Sequence, residues 1–376
     1  MIQILKLNKS LIIFTILLLL GLQSAYSKSQ IEISLLTCSS GAETFTAWGH
    51  SAIRIIDPES NTDIVYNFGL FDFDTPNFYP KFIKGKLKYK LGVHDTYHFY
   101  TSYFEENRQI IEQKLNLSDE NKTKIISRLK YLYKPENRYY LYSFVGKNCT
   151  SELRDLILEN VETNFDNTIT QKSYRDQLHE FLNDKLWMKF GMSLIMGYKI
   201  DRNINKFESL FLPDYLCAGL NDLQTNNQPL VEKEQVYNKV DDSGNAYPFL
   251  INPILIFSLI LVLIVLIKSN FVQIPLQIII GLLGLVILVV SLYTEHPELQ
   301  YNLNLLWINP FYIFTAFKFK NYPNIRKYLT LFIQALIIIM IPIWIFHVQQ
   351  FELTFLLICS VLTIFNIRIL AALKKN

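Results

Sequence analysis

The C-terminal third of the chain consists of long apolar runs, and this feature limits the possible folds more than any other. A helix that crosses a bilayer needs about 20 mostly apolar residues. On this basis the sequence predicts five membrane spans, near Phe249–Ile267, Ile274–Tyr293, Asn302–Phe317, Tyr328–Val348 and Phe351–Leu373. A wholly soluble protein is therefore excluded. The 22 Tyr and 27 Phe also exclude an intrinsically disordered chain.

Basic residues give the orientation of the spans, because Lys and Arg accumulate on the cytoplasmic side of a membrane. If the chain before the first span lies outside the cytoplasm, all the basic clusters fall inside. These clusters are Lys268, Lys318 with Lys320, Arg326 with Lys327, and Lys374 with Lys375. The basic residues therefore support a topology in which the chain before the first span lies outside the cytoplasm.

The third predicted span is the shortest and the most polar. It contains Asn302, Asn304, Asn309 and Pro310. Polar backbone is tolerated at membrane depth where protein covers it. The alternative to a simple span is therefore a segment that is re-entrant or partly buried among its neighbours.

The first residues predict export from the cytoplasm. Lys6 and Lys9 precede an apolar run from Leu11 to Leu22, and small residues, Ala25 and Ser27, follow at the −3 and −1 positions of a cleavage site after Ser27. This pattern is typical of a secretory signal peptide, here residues 1–27, although an uncleaved anchor would give the same topology. We expect an extracytoplasmic domain over residues 28–221, a polar linker over residues 222–248 and a membrane domain over residues 249–376.

The exported domain mixes strand and helix patterns, so its predicted class is α+β. Runs of β-branched, aliphatic and aromatic residues predict strands at Ile31–Thr37, His50–Ile56, Ile64–Phe68, Leu87–Val93, Tyr97–Tyr103 and Tyr139–Phe144. Helical periodicity predicts helices after Ser118, from about Cys149, and over most of Ser173–Tyr198.

Cys149 is the first candidate for chemistry, because it falls at the start of a predicted helix. Unpaired peptide N–H groups and the helix dipole stabilise a thiolate at that position. A thiolate also needs a base or an imidazolium partner. His50 opens a predicted strand, and Asn67 on the next strand is positioned to orient the imidazole. Backbone N–H groups around Cys149, with the Asn148 side chain, are candidates for an oxyanion hole.

The cysteines also allow other roles. A lone cysteine and a lone histidine are more often packing residues than a catalytic pair. Cys38 is a rival nucleophile, since only a loop separates it from His50. Three cysteines lie in the oxidising exterior, so one bridge would leave one free thiol, and the preferred pairing is Cys38 with Cys217.

The sequence indicates no cofactor and no nucleic-acid partner. The sequence has no metal-binding spacing, phosphate-binding glycine loop or nucleic-acid motif, and its formal net charge of +3 is too small to indicate a nucleic-acid partner. Arg54, Arg154 and Arg202 are candidates for binding a phosphate. The alternative is that they pair with acidic neighbours such as Asp155 and Asp201.

Several short strings, in order along the chain, resemble the Lnb family. They are Leu35-Leu36-Thr37-Cys38, Gly49-His50-Ser51-Ala52-Ile53-Arg54, Asn67-Phe68-Gly69, the block NCTSELRD at Asn148–Asp155, Phe211-Leu212-Pro213-Asp214 and the run EHPELQYNLNLLWINP at Glu295–Pro310. The resemblance covers essentially the whole mature chain. It implies a lipoprotein N-acyltransferase of Gram-negative bacteria, which adds a third acyl chain to the amino group of a lipoprotein's diacylglyceryl-cysteine.

The order histidine, strand, then asparagine–cysteine at a helix start also resembles the circularly permuted papain-like fold of lecithin:retinol acyltransferase-like and NlpC-like enzymes. This resemblance implies that Cys149 accepts the acyl group as a thioester and that His50 is the base. Asn67 is the expected third member, with the turn Asp57–Asp63 making its spacing from His50 longer than usual.

The two resemblances together imply a multi-pass protein of the bacterial inner membrane, with its N-terminal domain in the periplasm. Its partners would be a phospholipid acyl donor and a diacylated lipoprotein. Glu295 and His296, in the loop Thr294–Asn304, would orient the amine or the lipid headgroup, or else simply cap and solvate the loop. Two alternatives remain open, a papain-like cell-wall amidase or peptidase and a non-catalytic sensor or assembly protein.

Overall fold

The computed structural model describes residues 30–240, 252–267, 269–317 and 323–374. The predicted signal peptide and the end of the predicted linker lie outside these residues, as do four of the basic residues used to orient the spans, Lys268, Lys318, Lys320 and Lys375.

The described residues form eleven strands and thirteen α-helices. The strands are β1 Glu32–Cys38, β2 His50–Asp57, β3 Thr62–Leu70, β4 Lys88–Asp95, β5 Ile110–Leu115, β6 Tyr139–Leu141, β7 Ile169–Ser173, β8 Asn203–Asn205, β9 Gln224–Thr225, β10 Gln228–Pro229 and β11 Val231–Tyr237. The helices are α1 Phe78–Lys84, α2 Thr96–Glu105, α3 Asp119–Tyr133, α4 Cys149–Asn160, α5 Tyr174–Glu180, α6 Leu186–Ile195, α7 Lys206–Ser209, α8 Pro213–Asn221, α9 Pro253–Leu266, α10 Asn270–Tyr293, α11 Tyr312–Ala316, α12 Pro323–Ile345 and α13 Leu353–Lys374.

A seven-stranded antiparallel sheet organises the N-terminal domain, in the order β11-β5-β1-β2-β3-β4-β6. Alternate residues of a strand face opposite sides of its sheet. Ile53 on β2 faces the buried residues of α3 and α4, such as Leu129 and Leu153. Its neighbour Ala52 faces the aromatic side chains of α2, such as Phe99. The sheet is therefore covered on both faces, and α4 lies directly on β2 and β3.

Most of the predicted elements of this domain are confirmed. The first strand, the hairpin of β2 and β3, the fourth strand and the helix after Ser118 all form. The Ser118 side chain accepts a hydrogen bond from the N–H of Asn121, which is the capping contact that its position predicts. The strand predicted at Tyr139–Phe144 forms over its first three residues.

The predicted strand at Tyr97–Tyr103 is wrong, because this segment forms helix α2. Its aromatic residues favour a strand by propensity. The Asp95 side chain, however, accepts hydrogen bonds from the N–H groups of Tyr97 and His98, which caps a helix. Phe99, Tyr100 and Tyr103 then lie on one helical face against the sheet.

The predicted linker also differs from expectation in its first part. Residues Val231–Tyr237 form β11, which pairs with β5 at the edge of the sheet. Its polar sequence, VEKEQVY, suits an edge strand exposed to solvent. The sheet therefore extends beyond residue 221, into the segment predicted as a connection.

Three helices among the described residues are long and apolar enough to cross a membrane, namely α10, α12 and α13. The first predicted span contains α9, which has 14 residues in the described part of the chain. The third predicted span is not one continuous helix. It contains a 3-10 turn at Leu303–Leu306 and the five-residue α11.

This third segment runs antiparallel to α10 and packs closely against it. Ile308 lies against Gly284, and Ile313 lies against Gly281, one turn further from the C-terminal end of α10. A Cβ atom at Gly281 would approach the backbone nitrogen of Ile313 to 2.8 Å, so the glycine permits the contact. The partly buried alternative predicted for this segment therefore describes it better than a simple span.

The loops that follow α10 and α12 both contact the N-terminal domain. The Asn304 side chain donates to the carbonyl of Ser193 on α6 (2.9 Å), and the Gln350 side chain donates to Asp176 on α5 (2.9 Å). The C-terminal ends of α10 and α12 therefore lie on the same side as the domain, as the predicted orientation requires. Lys374 lies at the opposite end of α13, which begins at Leu353 beside the domain.

Candidate active site

Three elements bring the predicted reactive residues together. Cys149 is the first residue of α4, His50 is the first residue of β2, and Asn67 lies on β3. Gly69 marks their meeting point, because a Cβ atom added there would lie 3.5 Å from Cys149 Cβ and 3.7 Å from His50 Cε1. Its φ of +95° is a conformation that favours glycine.

Asn148 fixes the start of α4 and hence the position of the sulfur. Its side-chain oxygen accepts hydrogen bonds from the N–H groups of Thr150 and Ser151, both at 2.9 Å. Its side-chain nitrogen donates to the carbonyls of Phe144 (2.9 Å) and Phe211 (3.1 Å). All of these groups are engaged in holding the helix start, so the Asn148 side chain acts as a cap. Its predicted place in an oxyanion hole finds no support in these contacts.

Asn67 determines which nitrogen of His50 faces the sulfur. His50 Nε2 lies 2.7 Å from Asn67 Oδ1, and a side-chain amide oxygen can only accept, so Nε2 carries a proton. Nδ1 is then the nitrogen available to Cys149, with which the imidazole shares a hydrogen bond. The Tyr103 ring lies nearly parallel to the imidazole, with centroids 6.4 Å apart.

The two reactive groups stabilise each other's charged forms. Burial alone would raise the pKa of the Cys149 thiol, but the charge and hydrogen bond of His50, with a backbone hydrogen bond from Ser51, outweigh it and lower the pKa to about 7. Burial alone would lower the pKa of His50, but the thiolate and the hydrogen bonds to Cys149 and Asn67 raise it. The geometry therefore favours a thiolate–imidazolium pair near neutral pH.

Hydroxyl groups complete the surroundings of the sulfur. Thr150 Oγ1 lies 3.8 Å from Cys149 Sγ and 3.0 Å from the Ser51 hydroxyl, and both hydroxyls are buried. This hydroxyl pair joins β2 to α4 next to the dyad. It was not predicted, although Ser51 adjoins His50 and Thr150 adjoins Cys149 in the sequence.

Three further residues near the dyad were missed by the sequence analysis. The Tyr103 ring faces the His50 imidazole. The guanidinium of Arg108 lies 4.5 Å from the centre of the Tyr103 ring. Burial lowers the pKa of His94, and the nearby positive charge of His50 lowers it further. None of the three occurs in a motif, so no sequence signal could have found them.

Cys38 and Cys217 are both free and buried, so the predicted disulfide between them is wrong. Cys217 interacts with the side chain of Thr37, the neighbour of Cys38 on β1. Adjacent strand residues point to opposite faces of the sheet, which places the two sulfurs on different sides. Burial raises the pKa of Cys38 far above its usual range and that of Cys217 to about 11, which makes both poor nucleophiles.

The arginines predicted as phosphate ligands are occupied by other groups. Arg54 pairs with Asp63 (2.7 Å) and Glu112 (3.0 Å). Arg154 pairs with its neighbour Asp155, as the alternative proposed. These contacts do not bring Arg54 to the dyad, and they support a structural role for it.

Arg202 and Asp201 do not pair with each other. Arg202 pairs with Glu208, and Asp201 binds Arg175 at 2.7 Å in a fully buried ion pair. Asp201 also accepts a hydrogen bond from the backbone N–H of Gln350 (3.2 Å). This ion pair therefore helps to attach the N-terminal domain to the loop between α12 and α13.

The loop Thr294–Asn304 lies against the N-terminal domain, as predicted, but its residues differ in exposure. Glu295 is half exposed and pairs with Lys86 at 2.5 Å. The buried His296 places Nε2 2.8 Å from the carbonyl oxygen of Phe82. Glu298, which was not singled out from the sequence, is buried and accepts a hydrogen bond from the N–H of Phe144 (2.6 Å).

Glu298 connects the membrane domain to the nucleophile. Its carboxylate also accepts a hydrogen bond from the Ser143 hydroxyl (3.1 Å). The loop from Ser143 leads directly to Asn148, whose side chain donates to the Phe144 carbonyl. A membrane-side carboxylate therefore holds the loop that precedes Cys149.

A cavity of about 540 Å³ lies at the same junction. Its lining combines residues of the N-terminal domain and of both membrane-side loops, namely Val145, Tyr174, Lys199, Arg202, Glu298 and His347 among others. Its volume lies in the range of ordinary small-molecule sites. No cluster of three or more potential metal ligands occurs in the part of the chain that the structure describes.

Comparison with family models identifies both halves of the chain. Residues 21–180 match the Lnb N-terminal periplasmic domain, and residues 243–376 match the Lnb transmembrane domain. Comparisons with curated proteins and with solved structures gave no match. The two family matches together cover well over half of the chain and describe a membrane protein with a periplasmic N-terminal domain. The chain therefore belongs to the Lnb family.

Proposed function

We propose that this protein is a membrane-bound N-acyltransferase of the bacterial inner membrane. It moves an acyl chain from a phospholipid, through a thioester on Cys149, to the N-terminal diacylglyceryl-cysteine of lipoproteins. The observation that carries the proposal is the pairing of a partly buried thiol of low pKa with an imidazole whose Nε2–H is bound by Asn67. In this proposal the N-terminal domain is a permuted papain-like domain.

The first half-reaction forms the thioester. The Cys149 thiolate attacks the ester carbonyl of the phospholipid, and the N–H of Cys149 at the helix start stabilises the oxyanion. The C–O bond of the ester then breaks. The His50 imidazolium donates its Nδ1 proton to the departing alkoxide, which leaves as a lysophospholipid alcohol. This step ends with an acyl-enzyme and a neutral His50.

The second half-reaction reverses the proton transfer. The unprotonated α-amine of the lipoprotein attacks the thioester carbonyl while neutral His50 accepts its proton. The C–S bond breaks, an amide is released, and the thiolate–imidazolium pair is restored. Asn67 keeps the imidazole in the tautomer that both steps require, because it holds Nε2–H throughout.

The membrane architecture favours this function over a cell-wall amidase or peptidase. A hydrolase of the cell wall needs one anchor at most, whereas both substrates of lipoprotein acylation reside in the bilayer. We propose five crossings, with the third made by the broken segment Leu303–Phe317, because α10 and α12 both end on the side of the N-terminal domain. In a lipid environment the segment's backbone is protected by α10 and by buried asparagines such as Asn304.

The decisive experiment uses the purified full-length chain, a phospholipid with an isotopically labelled acyl chain and a synthetic diacylated lipopeptide. We expect a labelled thioester on Cys149, cleaved by hydroxylamine, and transfer of the label to the peptide amine. Cys149→Ala should abolish both products. Cys217→Ala, which removes a buried thiol away from the dyad, should retain both.

The alternatives predict different results. A peptidase would release peptides from peptidoglycan fragments without acylating the lipopeptide. If the protein is a non-catalytic module, the Cys149→Ala variant should still restore lipoprotein maturation in cells that lack the protein. If it is the proposed enzyme, cells with only this variant should keep diacylated lipoproteins. Mass spectrometry of lipoprotein N-terminal peptides measures this ratio directly.

A further inference from the structure

A group of partly exposed phenylalanines lies beside the candidate active site. We call Phe45, Phe71, Phe73 and Phe78 the aromatic patch. Its neighbouring ring centroids lie 4.9–6.3 Å apart. Phe45 is 59% exposed and Phe73 is 57% exposed. Rings of this size are costly to leave in water, so a contiguous exposed cluster indicates a surface that meets an apolar partner.

The aromatic patch is connected to the dyad by sequence and by packing. Phe71 follows Gly69 by two positions, and a Cβ atom added at Gly69 would lie within 3.7 Å of both Cys149 and His50. The Phe71 ring contacts that of Tyr89 at 5.1 Å, and Tyr89 stacks on Tyr142 at 4.4 Å. Burial raises the pKa of Tyr142, and the charges of Tyr89 and Cys149 raise it further.

The same surface is attached to the end of a membrane-spanning helix. Helix α1, which begins at Phe78 of the patch, ends at Lys84, whose ammonium donates to the Tyr293 hydroxyl (3.2 Å) and lies 4.5 Å from the centre of that ring. Tyr293 is the last residue of α10. The Thr294 hydroxyl donates to the carbonyl of Ile83 (2.7 Å). These contacts fix α1 at the level where α10 leaves the bilayer.

The composition of α1 matches that of an interfacial helix. Tyr79 is 70% exposed and Ile83 is 40% exposed, next to the basic residues Lys81 and Lys84. Aromatic and basic side chains are enriched at membrane–water interfaces, where the rings enter the headgroup region and the cations meet phosphates. Asp72 and Asp74 lie on either side of Phe73 and add negative charge at the patch itself, so the attraction to lipid phosphates comes from Lys81 and Lys84.

We propose that the aromatic patch and α1 insert into the periplasmic leaflet and form the path by which a phospholipid acyl chain reaches Cys149. The proposal that this surface inserts into the leaflet does not depend on the proposed function. The delivery of the acyl chain rests on the proposed acyltransferase function. The occupant is phospholipid rather than a protein, because the surface is continuous with a membrane-spanning helix.

Insertion is tested without any enzymatic readout. In a Cys149→Ser background, the remaining cysteines are buried, so Phe73→Cys offers one accessible thiol for a nitroxide spin label. Tyr131→Cys, at an aromatic residue of similar exposure on α3, is the matched control. In proteoliposomes containing anionic phospholipid, we expect the label at 73 to collide with lipid-soluble oxygen and be shielded from a water-soluble nickel complex. The label at 131 should show the reverse.

Two results would overturn the insertion. A label at 73 as accessible to nickel as the label at 131 would place the patch in water. A label shielded from both oxygen and nickel would indicate a covering protein instead of lipid. Circular dichroism and elution volume of each labelled protein show whether it is folded.

Delivery of the acyl chain is tested by comparing two donors. Two rates of thioester formation are compared, one with a bilayer phospholipid and one with a water-soluble short-chain activated ester. Phe73→Ala should lower the first rate by a factor about ten times larger than the second, because only the phospholipid must pass the patch. Tyr131→Ala should leave the rates with both donors unchanged. Equal losses with both donors would refute the path. If the wild type fails with the soluble ester as well, the proposed function fails, while the spin-label result still decides whether the patch inserts.

Discussion

The His50→Ala variant gives the sharpest test of the charge pair at the candidate site. His50 contributes the positive charge and a hydrogen bond that lower the pKa of Cys149, whereas the opposing effect of burial does not depend on it. We therefore expect the pKa of Cys149 to move from about 7 to above 8.5, the value of an exposed cysteine. A change of at least about 1.5 pH units corresponds to a loss of about 2 kcal/mol in thiolate stability.

The appropriate assay is the rate of alkylation of Cys149 by iodoacetamide as a function of pH, followed by peptide mass spectrometry. At pH 7.5 a thiol with a pKa of 7 is about three quarters ionised, and one with a pKa of 8.5 is about one tenth ionised. A more basic thiolate is also more nucleophilic, which recovers about fivefold in rate. A single rate would therefore fall only about twofold, so the midpoint of the pH profile is the quantity to compare.

The expected outcome is a wild-type midpoint near pH 7 and a variant midpoint above pH 8.5. The sign follows from the lowered pKa of Cys149, since thiolate is present above the midpoint and is lost as the pH falls through it. A His50→Ala midpoint that stays near pH 7 would show that the helix start, and not the imidazole, stabilises the thiolate. The Cys149→Ser protein measures background labelling.

Four further predictions concern the groups around the pair. Asn67→Ala should lower the rate of acyl transfer about 10- to 100-fold with little change in KM, because a hydrogen bond to the charged imidazole is lost; steady-state kinetics measure this, and an unchanged rate would contradict it. Asn148→Ala should reduce stability by about 1–2 kcal/mol through the loss of the helix cap, detected as a lower Tm. Glu298→Ala should lower both Tm and acyl transfer, whereas Glu295→Ala should change neither, because only Glu298 is buried and bound to the loop before the nucleophile. Thiol titration of the denatured, unreduced protein should find four free thiols per chain, and two or fewer would restore the disulfide.

The sequence predicted those parts of the site that depend on local signals. Cys149 follows an asparagine and precedes an apolar period, which together mark a helix start. His50 and Asn67 lie on two strands of a hairpin separated by a polar turn, so their proximity follows from pairing of adjacent strands. Each of these inferences needs only residues that are close in sequence or joined by a hairpin.

The features that were missed depend on contacts between distant segments. Arg108 and Tyr103 reach His50 because the chain from α2 to β5 packs on the opposite face of the sheet from α4. The disulfide prediction failed for a related reason. Counting cysteines shows how many bridges are possible, but the alternation of Thr37 and Cys38 across β1 decides which sulfurs can meet.

The loop Thr294–Asn304 links the membrane domain to the segment that precedes the nucleophile. From the sequence, Glu295 and His296 looked suited to bind substrate because they are charged and adjoin a span. In the structure the exposed Glu295 pairs with Lys86, while the buried Glu298 binds the backbone of Phe144, five residues before Cys149. A carboxylate buried in a protein is costly unless its hydrogen bonds are made, so the contacts of Glu298 add a membrane-side support to the loop that Asn148 also holds from within the N-terminal domain. Thiol reactivity at Cys149 should therefore depend on the membrane domain as well as on the residues that surround the sulfur.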